Sequence, residues 1–172
     1  MLTEKDYCDY ETCVALKELG YNQSSIAFYP CQDITVDCVD SNGDLYEAEY
    51  DKESLVLYSS LNLKNNKINK VQAPTLYEAQ KWLREVKKIE VNATYDNVVE
   101  LHWHWYMKSL INRNQTISMI NHDSYESALL KAIKEAVKIL KEKNINQRKA
   151  LEAENTEFDY GHNVNYNERD TY

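Results

Sequence analysis

The sequence predicts an α+β domain, with a mainly antiparallel sheet, helices packed on one face of it, and a flexible C-terminal tail. Three observations carry that expectation. Residues 73–140 hold a complete helix, sheet, helix unit with a start signal on each helix. Within the strand at 98–107, residues from Val99 onward alternate between apolar and polar side chains, the two-residue period of a strand. Asn42-Gly43 lies between two further alternating runs, the strongest short signal for a hairpin.

From the N-terminus, residues 8–19 read as a helix. Thr12, Ala15, Leu16 and Leu19 fall on one face, and Gly20 supplies the stop. Residues 26–29 form a short strand ended by Pro30. Residues 33–39 alternate, with Ile34, Val36 and Cys38 on one face. After the turn at 40–44, residues 45–50 return as the partner strand, and residues 54–61 read as another strand. Residues 62–67 are a polar loop. Thr75 is a good N-cap with Glu78 completing a capping box, and Leu76, Ala79, Leu83 and Val86 make the buried stripe of the helix that follows, with Trp82 beside it. Lys87 and Lys88 suit the negative end of its dipole.

Residues 89–93 are a strand and residues 94–97 a turn. In the strand at 98–107, Val99, Leu101, Trp103, Trp105 and Met107 face one way; Val98, Glu100, His102, His104 and Tyr106 face the other. Both tryptophans are expected in the core, and both histidines on an accessible face. Residues 116–120 close this sheet. Asp123 or Ser124 caps the last helix. Leu129, Ile133, Ala136, Val137 and Leu140 form its apolar stripe, opposite a solvated row of Lys131, Lys134, Lys138 and Lys141. The expected division is a single α+β domain over 1–143, with a helical extension and a disordered or partner-docked tail over 144–172. In the tail Phe158, Tyr160, Tyr166 and Tyr172 are spaced through Asn, Asp and Glu, and they are the candidate docking residues.

Composition excludes several function classes. The 172 residues suffice for one domain with a real core, and 43% are apolar. With only 3 glycines, neither a GxGxxG nor a GxxxxGK[ST] phosphate loop occurs. The 14 tyrosines fit an AT-rich coding sequence, and tyrosine is also a side chain that binds through large contact area. The net charge of −8 is uneven. Residues 1–75 carry thirteen acidic and six basic side chains, residues 76–143 nine and eleven, and residues 144–172 six and three. An acidic chain argues against general nucleic-acid binding, which needs Lys and Arg against phosphate. The opposite signs of the first two segments favour self-association. Cys8, Cys13, Cys31 and Cys38 form no CxxC and no zinc pattern, so reduced, partly buried thiols are expected. The polar, acidic start lacks a signal peptide, and no apolar run reaches membrane-spanning length, so a cytoplasmic location is expected, with the virion as the alternative.

Several segments together resemble a known group. These are Ala73-Pro74-Thr75-Leu76, Lys81-Trp82-Leu83-Arg84-Glu85-Val86, Tyr125-Glu126-Ser127-Ala128-Leu129, Tyr10-Glu11-Thr12, Leu16 through Tyr21, and Ile26-Ala27-Phe28-Tyr29. They resemble small proteins common in Bacteroidota genomes, their prophages and their phages, similar to α–β–α sandwich domains found among phage accessory genes. The resemblance covers roughly residues 8–140 and rests on fold-making positions. What it implies is a mobile-element gene, not a reaction.

No motif supports catalysis. Any Cys–His pairing has to cross from the first strands to the strand at 98–107, and the carboxylate pairs Asp37/Asp40 and Glu47/Glu49 lie on solvent faces. His102 and His104 leave the same face two residues apart. With Glu100 or His122 they could be imagined around a metal, but a polar partner surface of Glu100, His102, His104 and Tyr106 is the simpler reading. The expectation is therefore a non-enzymatic accessory protein without a cofactor or metal, acting by binding a host or phage protein or another copy. The alternatives are a protein sequestering a small anionic host defence nucleotide, on the lysine row, and a minor virion component.

Overall fold

The computed structural model describes residues 2–40, 42–60, 68–96, 102–118 and 120–160. In chain order these form α1 (Tyr10–Glu18), β1 (Ala27–Pro30), β2 (Ile34–Val39), β3 (Leu45–Tyr50), β4 (Val56–Leu57), β5 (Lys70–Gln72), α2 (Leu76–Glu85), β6 (Ile89–Asp96), β7 (His102–Ser109), β8 (Gln115–Ile117) and α3 (Tyr125–Tyr160). The fold is α+β and every strand pair is antiparallel. The strands are distributed over three sheets, ordered β4-β1-β5, β2-β3 and β6-β7-β8. The chain divides into two units, Met1–Val137 and Lys138–Tyr172, the division falling inside α3.

Local chemistry explains the helix ends. Asp9 caps α1 by accepting the Thr12 N–H at 3.0 Å. At the other end Gly20 takes φ +96°; its N–H reaches the Lys17 carbonyl while Tyr21 N–H reaches that of Leu16. That is a Schellman closure, which needs a left-handed residue after the helix. Tyr21 then stacks edge-on against Trp82 of α2, with ring centroids 5.5 Å apart. Thr75 and Glu78 form the expected capping box of α2. Ser124 caps α3 through the Ser127 N–H. The turn between β2 and β3 is held by the Asp40 carboxylate, which accepts the N–H groups of Asn42 and Asp44, with Gly43 at φ +90°.

The core of the first unit is built on fully buried Leu16, Phe28, Val56, Leu83, Val91, Leu129 and Ile133. The α2 stripe is Leu76, Ala79, Trp82 and Leu83; Val86 is exposed, because the helix has closed before it. Ile89, Val91 and Ala93 present the buried face of β6, on which α2 packs. On α3, Ala128, Leu129, Ala132, Ile133, Ala136 and Val137 are buried. The opposite lysine row is not simply solvated. Lys131 pairs with Glu135, and Lys134 forms an ion pair with the Asp9 cap of α1.

Several sequence expectations change. The strand at 54–61 is only β4, because Tyr58–Ser60 turns in a 3-10 helix. Tyr58 bonds through its N–H to the Ile26 carbonyl and packs its ring on Phe28, which bends the chain onto β1. β5 has no period long enough to read, yet it pairs with β1 along three residues. The turn expected at 94–97 is strand through Asp96, since Tyr95 pairs across to Trp103 and stacks on it. β8 is shorter than 116–120 and begins at Gln115. The loop at 62–67 and residues 97–101 lie outside the described residues.

Leu83→Ala should therefore destabilise the protein by about 2–5 kcal/mol, while Val86→Ala on the same helix should stay within about 0.5 kcal/mol. Urea unfolding of the two variants checks the contrast, and equal losses would refute this assignment of the buried face.

Candidate functional site

β7 is the central strand of its sheet and carries the candidate residues. His102, His104 and Tyr106 lie opposite Asp96, Thr94 and Asn92 of β6. Tyr106 is half-buried and its hydroxyl accepts a hydrogen bond from the Asn92 amide at 3.3 Å. His102 is also half-buried. Glu100 lies outside the described residues. The alternation holds on one side: Trp105 and Met107 are buried at 6% and 7% exposure. It fails on the other, where His104 is only 8% exposed, and Trp103, expected in the core, is half-buried.

The chain that follows β8 returns alongside β7. Ser118 N–H donates to the Trp105 carbonyl, and farther on Trp103 and His122 exchange both backbone bonds, at 3.1 and 2.9 Å. The spacing between these contacts is longer on this segment than on β7, the mark of a bulge in the segment. Trp103 ends between Tyr95 and Tyr125, with ring centroids 5.2 and 5.3 Å away. Such contacts use the edge-to-face preference of aromatic rings.

His122 closes this corner. Its Nδ1 lies 3.4 Å from the Ser127 hydroxyl, and among the described residues its buried Nε2 finds no hydrogen-bond partner, nor does the buried Nδ1 of His104. Burial, then the charges of nearby His104 and Lys131, lower the His122 pKa, against a weaker opposing pull from Asp123. Sequence spacing pointed to His102 and His104 as the pair. The structure instead sets His104 close enough to His122 for its charge to help lower the His122 pKa. Among the described residues no group of three or more His, Cys, Asp and Glu could hold a metal ion.

Two clefts border the start of α3. One, of about 600 Å³, is lined by Glu4, Asp9, Tyr29, Asp123, Ser124 and Glu126 among others. The second, of about 670 Å³, includes Asp6, Gln23, Tyr77, Lys81, Tyr125 and Glu126. Carboxylates outnumber cations in both, so neither is suited to an anion. The contribution of residues 4–9 to these walls was not read from the sequence; a short acidic start gives no periodic signal.

The cysteines are free thiols, with Cys8, Cys13 and Cys38 buried and Cys31 half-buried. Burial pushes the Cys8 and Cys13 thiols up, away from the thiolate form that nucleophilic chemistry requires. Phe158 and Tyr160 fall in the last turns of α3, while Tyr166 and Tyr172 lie outside the described residues. No helix among the described residues is long and apolar enough to cross a membrane. No protein-family model matches the sequence, and neither the curated proteins nor the solved structures provide a match.

The lowered His122 pKa sets a pH dependence. The unfolded chain takes up its proton near the ordinary value of 6.5, whereas the folded chain resists it to lower pH. In that window the unfolded state holds more protons, so stability falls as pH drops below about 6.5 and is fully present above it. His122→Gln should flatten the fall between about pH 6.5 and 5, ahead of the carboxylates. Thermal melts across that range check this, and an unchanged slope would remove His122 as the cause.

Proposed function

We propose that this chain is a non-catalytic accessory protein of a phage or mobile element that acts by binding a protein partner, with the helical C-terminal unit as its docking element. One observation carries the reading. Within the Lys138–Tyr172 unit, every side chain from Glu142 to Ala153 is exposed, Ile145 and Leu151 included. A helix exposed all round gains no stability from burying a face, and propensity alone leaves such a length marginal in water. Leu140, Asn144, Gln147 and Leu151 share one narrow stripe at helical spacing, flanked by Lys143 and Arg148. That pattern suits a partly apolar groove on another protein, in the helix-in-groove mode.

The nucleotide-sequestering alternative has less support, because the described clefts are walled by carboxylates. The mobile-element origin rests on the sequence resemblance over residues 8–140. The raised thiol pKa values of Cys8 and Cys13 support a role other than nucleophilic catalysis.

Removing residues 144–172 tests the reading. The shortened protein should melt within about 4 °C of the full chain, since among the described side chains the buried α3 residues end at Val137. It should lose the partner that the full chain retains on chemical cross-linking in host lysate. Undiminished capture, or a large fall in melting temperature, would overturn the assignment of this unit as a docking element.

A further inference from the structure

Among the described residues the outer edge of β8 has no strand paired to it. Thr116 and Met107 oppose each other, as do Gln115 and Lys108, and Ile117 and Tyr106. The bonds from Ser118 N–H to the Trp105 carbonyl and from Ser109 N–H to the Asn114 carbonyl set the phase of this ladder. The backbone groups of Thr116 therefore turn toward β7, and those of Gln115 and Ile117 turn outward. An edge of this kind is a template for another strand, and proteins ordinarily guard it with charge, proline or a cover. The far edge of the same sheet is guarded, because Gln80 of α2 donates its side-chain amide to the outward Val91 carbonyl at 2.8 Å. Among the described residues β8 shows no such device. Residues 114–121, Asn-Gln-Thr-Ile-Ser-Met-Ile-Asn, include no charged residue in a chain that is 28% charged. All three strand residues are exposed, Ile117 at 56%, and two apolar side chains lie before and after them, Ile111 at 76% and Ile120 at 63% exposure.

We propose that β8 is an interface strand through which two copies of the chain pair antiparallel about a two-fold axis at Thr116. The outward phase admits this register with no residue left over. Gln115 of each copy faces Ile117 of the other, exchanging N–H and C=O, and Thr116 faces its own counterpart at the axis. A Thr–Thr pair is favourable across strands, and no like charges meet along the paired residues. The sheet becomes continuous across both copies, in the order β6-β7-β8-β8-β7-β6. A second copy fits the absence of charge better than a foreign basic or acidic segment, which would find no counter-charge here. The proposal is independent of docking through the C-terminal unit, and the two fail separately.

Sedimentation equilibrium of the full chain, from micromolar to submillimolar concentration, tests it. A monomer–dimer equilibrium is expected, and added salt should strengthen it by screening two copies of net charge −8. Thr116→Lys and Thr116→Glu each place like charges face to face at the axis and should raise the dissociation constant at least about tenfold. Mixing the two variants should restore pairing as a heterodimer, which a merely unfolded variant does not do. Thr116→Cys should give a covalent dimer on oxidation, since opposed strand residues lie within disulfide reach. A wild-type chain that stays monomeric overturns the proposal. So does a dimer indifferent to both charged variants, which would place the contact on another face.

Discussion

The backbone of Cys8 is the point on which the arrangement of the first unit depends. Its N–H donates to the Pro74 carbonyl at 3.0 Å, next to the bridge between Tyr7 and Thr75. Its carbonyl accepts the Tyr29 hydroxyl at 3.0 Å and the Cys13 thiol at 3.4 Å. The backbone of one residue, wholly buried, thus ties the start of α1, the strand β1 and the cap of α2. Buried backbone groups must find partners, and here each satisfied group fixes a different element. The Asp9–Lys134 ion pair adds α3 to the same junction. Burial opposes ionisation of Asp9, but Lys134 and the Thr12 bonds outweigh it and hold the carboxyl below its usual range. That pair stays partly open to water, so it directs packing more than it stabilises it.

Much of this architecture is legible in the sequence wherever the signal is local. Thr75 with Glu78, Gly20 after Leu19, and Asp40 with Gly43 each place a chemical requirement within a few residues of its solution. The helical stripes are legible for the same reason: a period repeated over three turns is hard to mistake. β4 and β5 are not legible, because strands of two and three residues have no period and owe their pairing to β1. The division into three sheets is likewise a tertiary outcome, set by where the chain bends rather than by any residue pattern.

The candidate surface on β7 shows where pattern reasoning ends. Strict alternation correctly placed Trp105 and Met107, and then assigned His104 to an open face, where it is buried. Such burial is a tertiary outcome, and the bulge between Ser118 and His122 is a matter of relative length between two strands. Neither strand alone records it. Trp103 shows the complementary case. It leaves the core to lie between Tyr95 and Tyr125, so part of the tyrosine excess is spent on aromatic contacts at this corner.

The buried thiols have a consequence for how the protein can be followed in solution. Cys8, Cys13 and Cys38 sit in the interior of the first unit, while Cys31 is half-open to solvent. A thiol reacts only when reagent reaches it and its proton leaves, and native packing blocks both at the inner positions. Each interior cysteine is in effect a clock that advances only while its neighbourhood is open, with Cys31 as the reference that runs continuously. Cys8 and Cys13 report on the junction around the Cys8 peptide and Cys38 on the β2–β3 hairpin. Their relative rates resolve whether these regions open together or in turn, without altering a single residue.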